Sequence, residues 1–337
     1  MYRRLPERRP LPPLVDRFGI RSPAQLRRDL GEVLSHLPTG DRFTFDLGST
    51  GLLRPDLSLP AYAGLIPRDG LTPVFNFFDR TGGGRGFRST VTRSRMRDHR
   101  GGRLSYDEHD GTDFVCPPGT PLCAAAPGVV VATRDNWLRG GLTVCVDHGD
   151  GVVTQYTHLA SVDAAIGQEV GRGEVIATSG HSGLDMTQFF PWVPPHVHFM
   201  VWLRGRPVDP YHAPGEDGRP ATWAHGNQPR TADGPQADDR RPAAPSVDRR
   251  EVERAIGRCR DPRIRDELER APGDAARVAV LEDSLHHDRP AWPAGAETLD
   301  PSVLRPAGDP STVRLTLPLT AEAFRGARAA DTPWTRP

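Results

Sequence analysis

The chain has 337 residues, and 43 basic side chains balance 43 acidic ones, so its formal net charge is +0. This balance provides no general attraction for nucleic acid, and we expect no nucleic-acid partner. Hydrophobic residues make up 36% of the chain, which is enough for one sizeable core. The 35 glycines and 35 prolines indicate that part of the chain is loop or linker.

The N-terminal stretch MYRRLPERRPLPPLVDRFG carries charge but lacks the apolar core of about 7–15 residues that a signal peptide needs. No run approaches the roughly 18 apolar residues of a membrane-spanning helix. Taken literally, these features predict a soluble, cytoplasmic protein without a transmembrane segment. The sequence does not predict an oligomeric state.

The first predicted element is a helix at about residues 22–37. Ser22, Pro23 and Gln25 fit its start, since Ser caps a helix, Pro suits the first turn and Gln completes a capping box. Apolar residues then recur at helical spacing. From about residue 42 to residue 92, short apolar runs are broken by Gly and Pro, which predicts irregular or weakly β structure.

Residues 109–210 have the pattern of a mostly antiparallel β domain. Short β-branched runs follow one another and are separated by turns that contain Gly. Residues 148–151, with the sequence HGDG, have the composition of a hairpin turn. The predicted strands are 128–133, 142–147, 152–159, 174–178 and 197–203.

The remainder of the chain differs in composition. Residues 213–246 are rich in Pro, Gly, Asp and Arg, which is typical of a linker. Residues 247–270 and 274–285 have helical patterns, interrupted at Pro262 and at 272–273, and residues 313–319 resemble a strand. The predicted organisation is an N-terminal extension (1–92), a β domain (93–212), a linker (213–246) and a helical C-terminal extension with a loose tail (247–337).

Four cysteines are present, and no two of them form a C-x-x-C pair, which argues against a cysteine zinc site. Cys116 and Cys123 flank a turn, and an oxidising compartment would permit a disulfide between them. The other interpretation is two small buried thiols. We favour it because free cysteines are usually buried.

His109 and Asp113 form the first part of a candidate metal site. In an extended segment side chains alternate, so residues His109, Gly111 and Asp113 share one face. The imidazole and the carboxylate then flank a position without a side chain, which leaves room for an ion. Alone, such a pair is more often two surface residues.

His196 and His198 form the second part, and His158 the third. In a strand, His196 and His198 face one side while Val197 faces the other. A hydrogen-bonded pair at a strand end is the alternative for these two histidines. His158 lies near the end of the predicted strand 152–159, two residues after Tyr156, where a single histidine is most often structural.

Together these motifs resemble the lysostaphin-type (LytM-like) zinc metallopeptidases. The resemblance covers roughly residues 93–211, about a third of the chain. It implies a mostly β catalytic domain with antiparallel sheets, flanked here by helical or irregular extensions. The stretches that carry it are HDGTDFVCPPGTPLCAAAPGVVV, VDHGDGVVTQYTHL, GQEVGRGEVIATSGHSG and HVHF, ending in PVDP.

The resemblance further implies one Zn²⁺ per chain, held by His109, Asp113 and His198, with His158 and His196 assisting catalysis. Three protein ligands leave a fourth position for water, whose pKa bound zinc lowers from about 15.7 to about 7. The implied function is hydrolysis of peptidoglycan stem or cross-bridge peptides by a zinc-activated water. That function implies the periplasm, the cell envelope or secretion, in conflict with the missing signal peptide.

Residues 184–195 lengthen the connection to the His-x-His motif beyond what the family usually has. We expect an enlarged loop whose aromatic residues Phe189, Phe190 and Trp192 line one wall of a substrate groove, with Tyr156 as a further substrate contact. The alternative is that these aromatics cover the core.

Two other functions remain open. One is a catalytically silent or masked binding module, if the enlarged loop closes the cleft. The other is a peptidase on a non-wall substrate, which the missing signal peptide favours. The remaining histidines have no predicted role: His148 and His181 are expected in a turn and a loop, and His286 and His287 at a solvated helix end.

Overall fold

The computed structural model describes residues 1–36, 52–81, 97–102, 109–216, 221–232, 234–236, 239, 247–288, 291–293, 304–305 and 308–330. The predicted domain boundary between residues 92 and 93, and part of the predicted linker, lie outside these residues.

The N-terminal segment contains short strands and helices. The predicted helix is confirmed, and the Ser22 hydroxyl accepts the Gln25 N–H at 3.1 Å, as a capping residue does. The Gln25 side chain accepts the N–H of Arg21, one residue before the position that a capping box predicts. The elements are β1 (Tyr2–Arg4), α1 (Leu14–Arg17), α2 (Pro23–His36), α3 (Pro55–Tyr62), β2 (Leu65–Pro67) and β3 (Leu71–Asn76).

The middle of the chain is rich in strands, and the predicted mostly β, antiparallel class is confirmed. The predicted hairpin turn at residues 148–151 lies between two consecutive antiparallel strands, one ending at Asp147 and the next beginning at Val152. The elements are β4 (Thr112–Val115), β5 (Pro121–Cys123), β6 (Gly128–Asn136), β7 (Gly141–Asp147), β8 (Val152–Val162), β9 (Glu169–Val170), β10 (Val175–Ser179), α4 (Leu184–Gln188), β11 (His196–Leu203) and β12 (Arg206–Val208).

Helices return in the C-terminal segment, as predicted, with breaks at the expected prolines. Asp248 and Asp261 cap two of them by accepting backbone N–H groups. Among the described helices, none combines the length and the apolar character needed to cross a membrane. The elements are α5 (Arg249–Arg258), α6 (Pro262–Arg270), α7 (Asp274–His287) and β13 (Gly326–Ala329).

The prediction of a strand at residues 313–319 is wrong. This segment makes only isolated bridges, from Leu315 to Trp223 and from Leu319 to Leu122. Its successive amides donate to different parts of the chain: the N–H of Leu315 donates to Thr222 and that of Thr316 to Ala125. A strand needs one partner over several residues, and this segment changes partners at each step.

Eleven strands of the described residues form one sheet, in the order β13-β3-β4-β11-β8-β7-β6-β9, with β10 joining β5 to β8 and β12 pairing with β11. The pairing of β13 with β3 is parallel, and the other pairings along this order are antiparallel. Strands from both predicted extensions therefore lengthen the sheet of the predicted β domain. The division into domains stays a prediction.

The sheet separates two hydrophobic clusters. One contains Tyr156, Phe199 and Trp223, all almost fully buried. The other places Met200 and Trp202 of β11 against the C-terminal helices α5 to α7. Trp223 lies in the segment predicted as a linker, and its buried indole ring stacks on Phe199 with ring centroids 5.9 Å apart.

All four cysteines are free and buried, which confirms the interpretation as buried thiols. Burial raises the pKa of Cys116 to about 12, so its thiol stays protonated at neutral pH.

Candidate metal centre

The candidate site is built on the pairing of β4 with β11. Asp113 lies directly opposite His198, and Val115 lies opposite His196. Because side chains alternate along a strand, His196 and His198 face the same side of the sheet as Asp113. The Nδ1 atom of His198 is 2.8 Å from Oδ1 of Asp113, so these two predicted ligands are in contact.

His109 completes the cluster from the segment just before β4. Its Nδ1 donates to the carbonyl oxygen of Phe77 at 2.7 Å, which leaves the lone pair on Nε2. That Nε2 is 3.1 Å from Nδ1 of His198 and 3.2 Å from Oδ2 of Asp113. Phe77 directly follows β3, so the N-terminal segment orients one of the predicted ligands.

The donor set fits a divalent cation such as zinc. Two imidazole nitrogens and a carboxylate converge, and Oδ2 of Asp113 is buried without a hydrogen-bond partner among the described residues. Burial disfavours a charged His198, but the carboxylates of Asp110 and Asp113 outweigh it and raise its pKa to about 10. An ion held at Nδ1 would replace the proton that these carboxylates retain on the ring.

Gly111 makes this close approach possible. A Cβ atom at residue 111 would lie 2.7 Å from Nε2 of His198 and 2.8 Å from the carbonyl oxygen of Phe199. The space that a side chain would fill is therefore occupied by the His198 ring.

His196 and His158 lie beside the three predicted ligands. Nδ1 of His196 donates to the carbonyl oxygen of Pro194 at 2.7 Å, and Nε2 is 3.5 Å from Oδ1 of Asp113. Burial lowers the pKa of His196 to about 4. The rings of His158 and His196 meet edge to face, with centroids 4.8 Å apart.

His158 reaches this position through a break in strand geometry. Strict alternation would put it on the face of Tyr156, in the core. Its backbone is left-handed instead, with φ of 61°, a conformation that is uncommon outside glycine. Its Nδ1 donates to the carbonyl oxygen of Ser182 at 2.8 Å, and Nε2 lies 3.5 Å from Oδ2 of Asp185. The structure thus brings all five predicted site residues together.

Residues 107–210 match the model of peptidase family M23. This segment is an M23 peptidase domain. The resemblance to lysostaphin-type peptidases is thereby confirmed for this part of the chain.

Curated relatives share the same segment. The chain is 40% identical over 101 residues to the peptidoglycan DD-endopeptidase ShyA of Vibrio cholerae, which is 30% of this chain and 22% of that protein. It is 36% identical over 102 residues to the DD-carboxypeptidase/endopeptidase Mpg of Neisseria meningitidis, again 30% and 22%. The chain spans about a fifth of the length of these relatives.

Among solved structures, a zinc-containing peptidase from Vibrio cholerae is 28% identical, with 42% of this chain and 44% of that chain covered and a TM-score of 0.28.

The predicted substrate contacts occupy different places in the M23 domain. Tyr156 is wrong as a substrate contact, because it is fully buried and its hydroxyl accepts the N–H of Ala125 at 2.9 Å. Phe189 packs partly buried against a hydrophobic cluster that contains Met186, as the alternative interpretation holds. Phe190 and Trp192 are 42% and 49% exposed, and their contact with substrate stays a prediction.

The expectation that His286 and His287 lie at a solvated helix end is wrong. Both side chains are nearly buried and contact Asp110, the residue between His109 and Gly111. Their separation from Asp110 by more than 170 residues explains why sequence patterns missed the contact. The one local signal was the i, i+4 spacing of Asp283 and His287, which form a hydrogen bond on α7.

Proposed function

We propose that this chain is a zinc-dependent metalloendopeptidase that hydrolyses peptide bonds of peptidoglycan stem or cross-bridge peptides. The observation that carries the proposal is the convergence of His109, Asp113 and His198 with two further histidines at their side. The M23 match and the relatives named for peptidoglycan endopeptidase activity support the substrate class. We assign one Zn²⁺ per chain to His109, Asp113 and His198. Among the described residues, Asp110, His286 and His287 form a second group whose side-chain atoms lie close enough to hold an ion.

His109, Asp113 and His198 are the proposed zinc ligands, and zinc in such a site supplies a Lewis acid and lowers the pKa of water. His196 is neutral at pH 7, because burial lowers its pKa to about 4. Nδ1 of His196 donates its proton to the carbonyl oxygen of Pro194. Nε2 is therefore the atom that orients a water or accepts a proton from that water.

His158 is the second proposed catalytic residue. With Nδ1 donating to Ser182, its Nε2 is the atom left to serve the leaving amine or the developing oxyanion. The left-handed backbone at this residue supports the assignment, since strained conformations cluster at functional sites. The assignment of one role to each histidine is a hypothesis.

The substrate class also bears on location. Acting on peptidoglycan places the proposed activity in the periplasm or elsewhere in the cell envelope. Detection of the protein in an envelope or culture-fluid fraction supports this location, and its confinement to the cytoplasm would favour a non-wall peptide as the substrate.

The deciding experiment is mass spectrometry of purified peptidoglycan after incubation with the full chain. We expect new peptide termini that disappear with a chelator and return with added Zn²⁺. The Asp113→Asn variant is the matched negative control. If protein shown to contain zinc left peptidoglycan intact, the proposal that the full chain cleaves peptidoglycan would be contradicted.

A masked enzyme is the second candidate, and one observation favours it. The five site residues are only 1% to 9% exposed, which leaves a substrate little access. A masked site predicts that the zinc-loaded full chain leaves peptidoglycan intact and that limited proteolysis restores cleavage. Cleavage by the untreated chain would eliminate this candidate.

A further inference from the structure

Helix α7 ends on two histidines that contact a carboxylate beside the candidate metal centre. Nε2 of His286 is 2.8 Å and Nε2 of His287 is 3.1 Å from Oδ2 of Asp110. The other carboxylate oxygen, Oδ1, is 3.1 Å from Nε2 of His198. Asp110 therefore joins the end of the C-terminal helix to one of the proposed zinc ligands.

The geometry of β11 explains why this helix lies there. Alternation puts Met200 and Trp202 on the same face as His198, farther along the strand. These two apolar side chains pack against α5 to α7, so the helices cover the face that carries the site. The ring of Trp202 meets that of His286 edge to face, with centroids 5.4 Å apart.

The end of α7 is also fixed by polar contacts. Oδ1 of Asp283 accepts from Nδ1 of His287 at 2.8 Å and from the side-chain amide of Gln155 on β8 at 3.0 Å. Asp283 forms an ion pair with Arg134 of β6, whose guanidinium also contacts Glu267 of α6 at 2.7 Å. His287 is thus held on the sheet with its Nε2 directed at Asp110.

These contacts are hydrogen bonds to an acceptor. An ionised carboxylate only accepts, so each imidazole nitrogen that contacts Asp110 here is a donor. A carboxylate that accepts from the outer nitrogen of a ligating histidine fixes the ring orientation and tautomer and raises the basicity of the other nitrogen. For His198 the other nitrogen is Nδ1, which lies beside Asp113.

We propose that Asp110, held in place by His286 and His287, is a positioning residue that orients His198 for metal binding. This inference rests on the proposed zinc centre. The C-terminal helical segment then contributes to metal affinity through Asp110, without touching the ion. The ion-binding atoms remain those of His109, Asp113 and His198.

The test measures Zn²⁺ affinity of the full chain by competition with a chromophoric chelator, together with the visible spectrum of the Co²⁺-loaded protein. Asp110→Asn keeps the side-chain shape, and we expect about 10- to 100-fold weaker binding and shifted Co²⁺ bands. The double variant His286→Gln/His287→Gln should change both readouts in the same direction. Arg277→Gln, at a surface ion pair on the same helix, should change neither.

Three results would overturn the inference. The first is wild-type affinity and an unchanged Co²⁺ spectrum in Asp110→Asn. If that variant does not fold, the second is the same result in the double histidine variant. The third is two zinc ions per wild-type chain with one lost in the double variant, since Asp110, His286 and His287 would then hold an ion themselves. Failure of the wild-type chain to bind Zn²⁺ would instead contradict the proposed function.

Discussion

The carboxylate of Asp113 lies opposite His198 across the β4–β11 pair, with its Oδ1 atom 2.8 Å from Nδ1 of the imidazole. Cross-strand neighbours of this kind share one face of the sheet. His109 reaches the same carboxylate from the preceding loop, at 3.2 Å. A strand pair that also supports the hydrophobic core therefore sets the spacing of the proposed ligands.

Replacing Asp113 by Asn should abolish most of the zinc affinity. The substitution removes the negative charge from the centre, and we expect binding to weaken by more than about 100-fold, since loss of an outer partner alone costs about 10- to 100-fold. Chelator competition measures the change. Asp163→Asn, at an exposed ion pair with Arg9, is the control and should bind zinc normally. Normal zinc binding by Asp113→Asn would show that this carboxylate is not a ligand.

Removing either of the two proposed catalytic histidines should reduce turnover while zinc stays bound. We expect His158→Ala and His196→Ala each to lower the turnover number by about 10²–10⁴-fold, the usual contribution of a positioned acid or base. Turnover on peptidoglycan fragments and zinc content should be measured on the same samples. His225→Ala, an exposed histidine, is the control. A variant that turns over normally would refute the role given to that histidine.

A methyl group at residue 111 should disturb the centre directly. The Cβ atom of Gly111→Ala would lie 2.7 Å from Nε2 of His198 and 2.8 Å from a backbone oxygen. We expect a loss of about 1–3 kcal/mol in the free energy of unfolding, together with weaker zinc binding.

Gly31→Ala is the matched control for that variant. Among the described residues, no atom outside the neighbouring backbone of α2 lies within 4 Å of a Cβ at residue 31, which is inside that helix, and alanine should stabilise it by about 0.5–1 kcal/mol. Urea unfolding measures both variants. If Gly111→Ala were as stable as wild type, the close packing at the site would be contradicted.

The segment predicted as a linker should contribute to global stability. Trp223 is 1% exposed and packs in the main cluster, so Trp223→Ala should lower the free energy of unfolding by about 3–5 kcal/mol. Trp192→Ala, whose side chain is 49% exposed, should change it by less than about 0.5 kcal/mol. Equal effects in urea unfolding would argue against a core role for Trp223.

Acid should destabilise the fold through buried neutral histidines. His148 is buried, with Nδ1 donating to the carbonyl oxygen of Pro127 and Nε2 2.7 Å from the hydroxyl of Thr154, and burial lowers its pKa to about 4. The pKa of this histidine in the unfolded chain is about 6.5. The stability gained by keeping the ring neutral in the folded protein is therefore complete above that pH and is lost as the pH falls towards 4. At pH 4 the free energy of unfolding should be lower by about 3 kcal/mol than at neutral pH.

The measurement is the urea midpoint at pH 7, 5.5 and 4. His148→Gln removes the titrating group and should flatten the dependence, although His181, whose pKa burial also lowers to about 4, retains part of it. Identical pH dependence in wild type and variant would exclude a contribution from His148.

The sequence by itself determined helix α2, the antiparallel strands of the β domain and the composition of the candidate site, but not the conformation of residues 313–319. Alternating β-branched runs predicted the antiparallel strands, and the Ser22–Gln25 capping pattern predicted α2. Alternation also put His196 and His198 on one face. These features follow from local geometry, because strand alternation and helix capping depend only on residues close together in the chain.

Tertiary structure alone decided what surrounds the site. No local sequence pattern predicts the left-handed backbone at His158 or the burial of Tyr156 and Trp223. The same is true of the contact between Asp110 and His286. Each depends on which segment covers a given face of the sheet, and therefore on contacts between residues far apart in sequence. Trp202 packs against the C-terminal helices, and the same packing brings the histidines at the end of α7 to Asp110. No local periodicity predicts this contact.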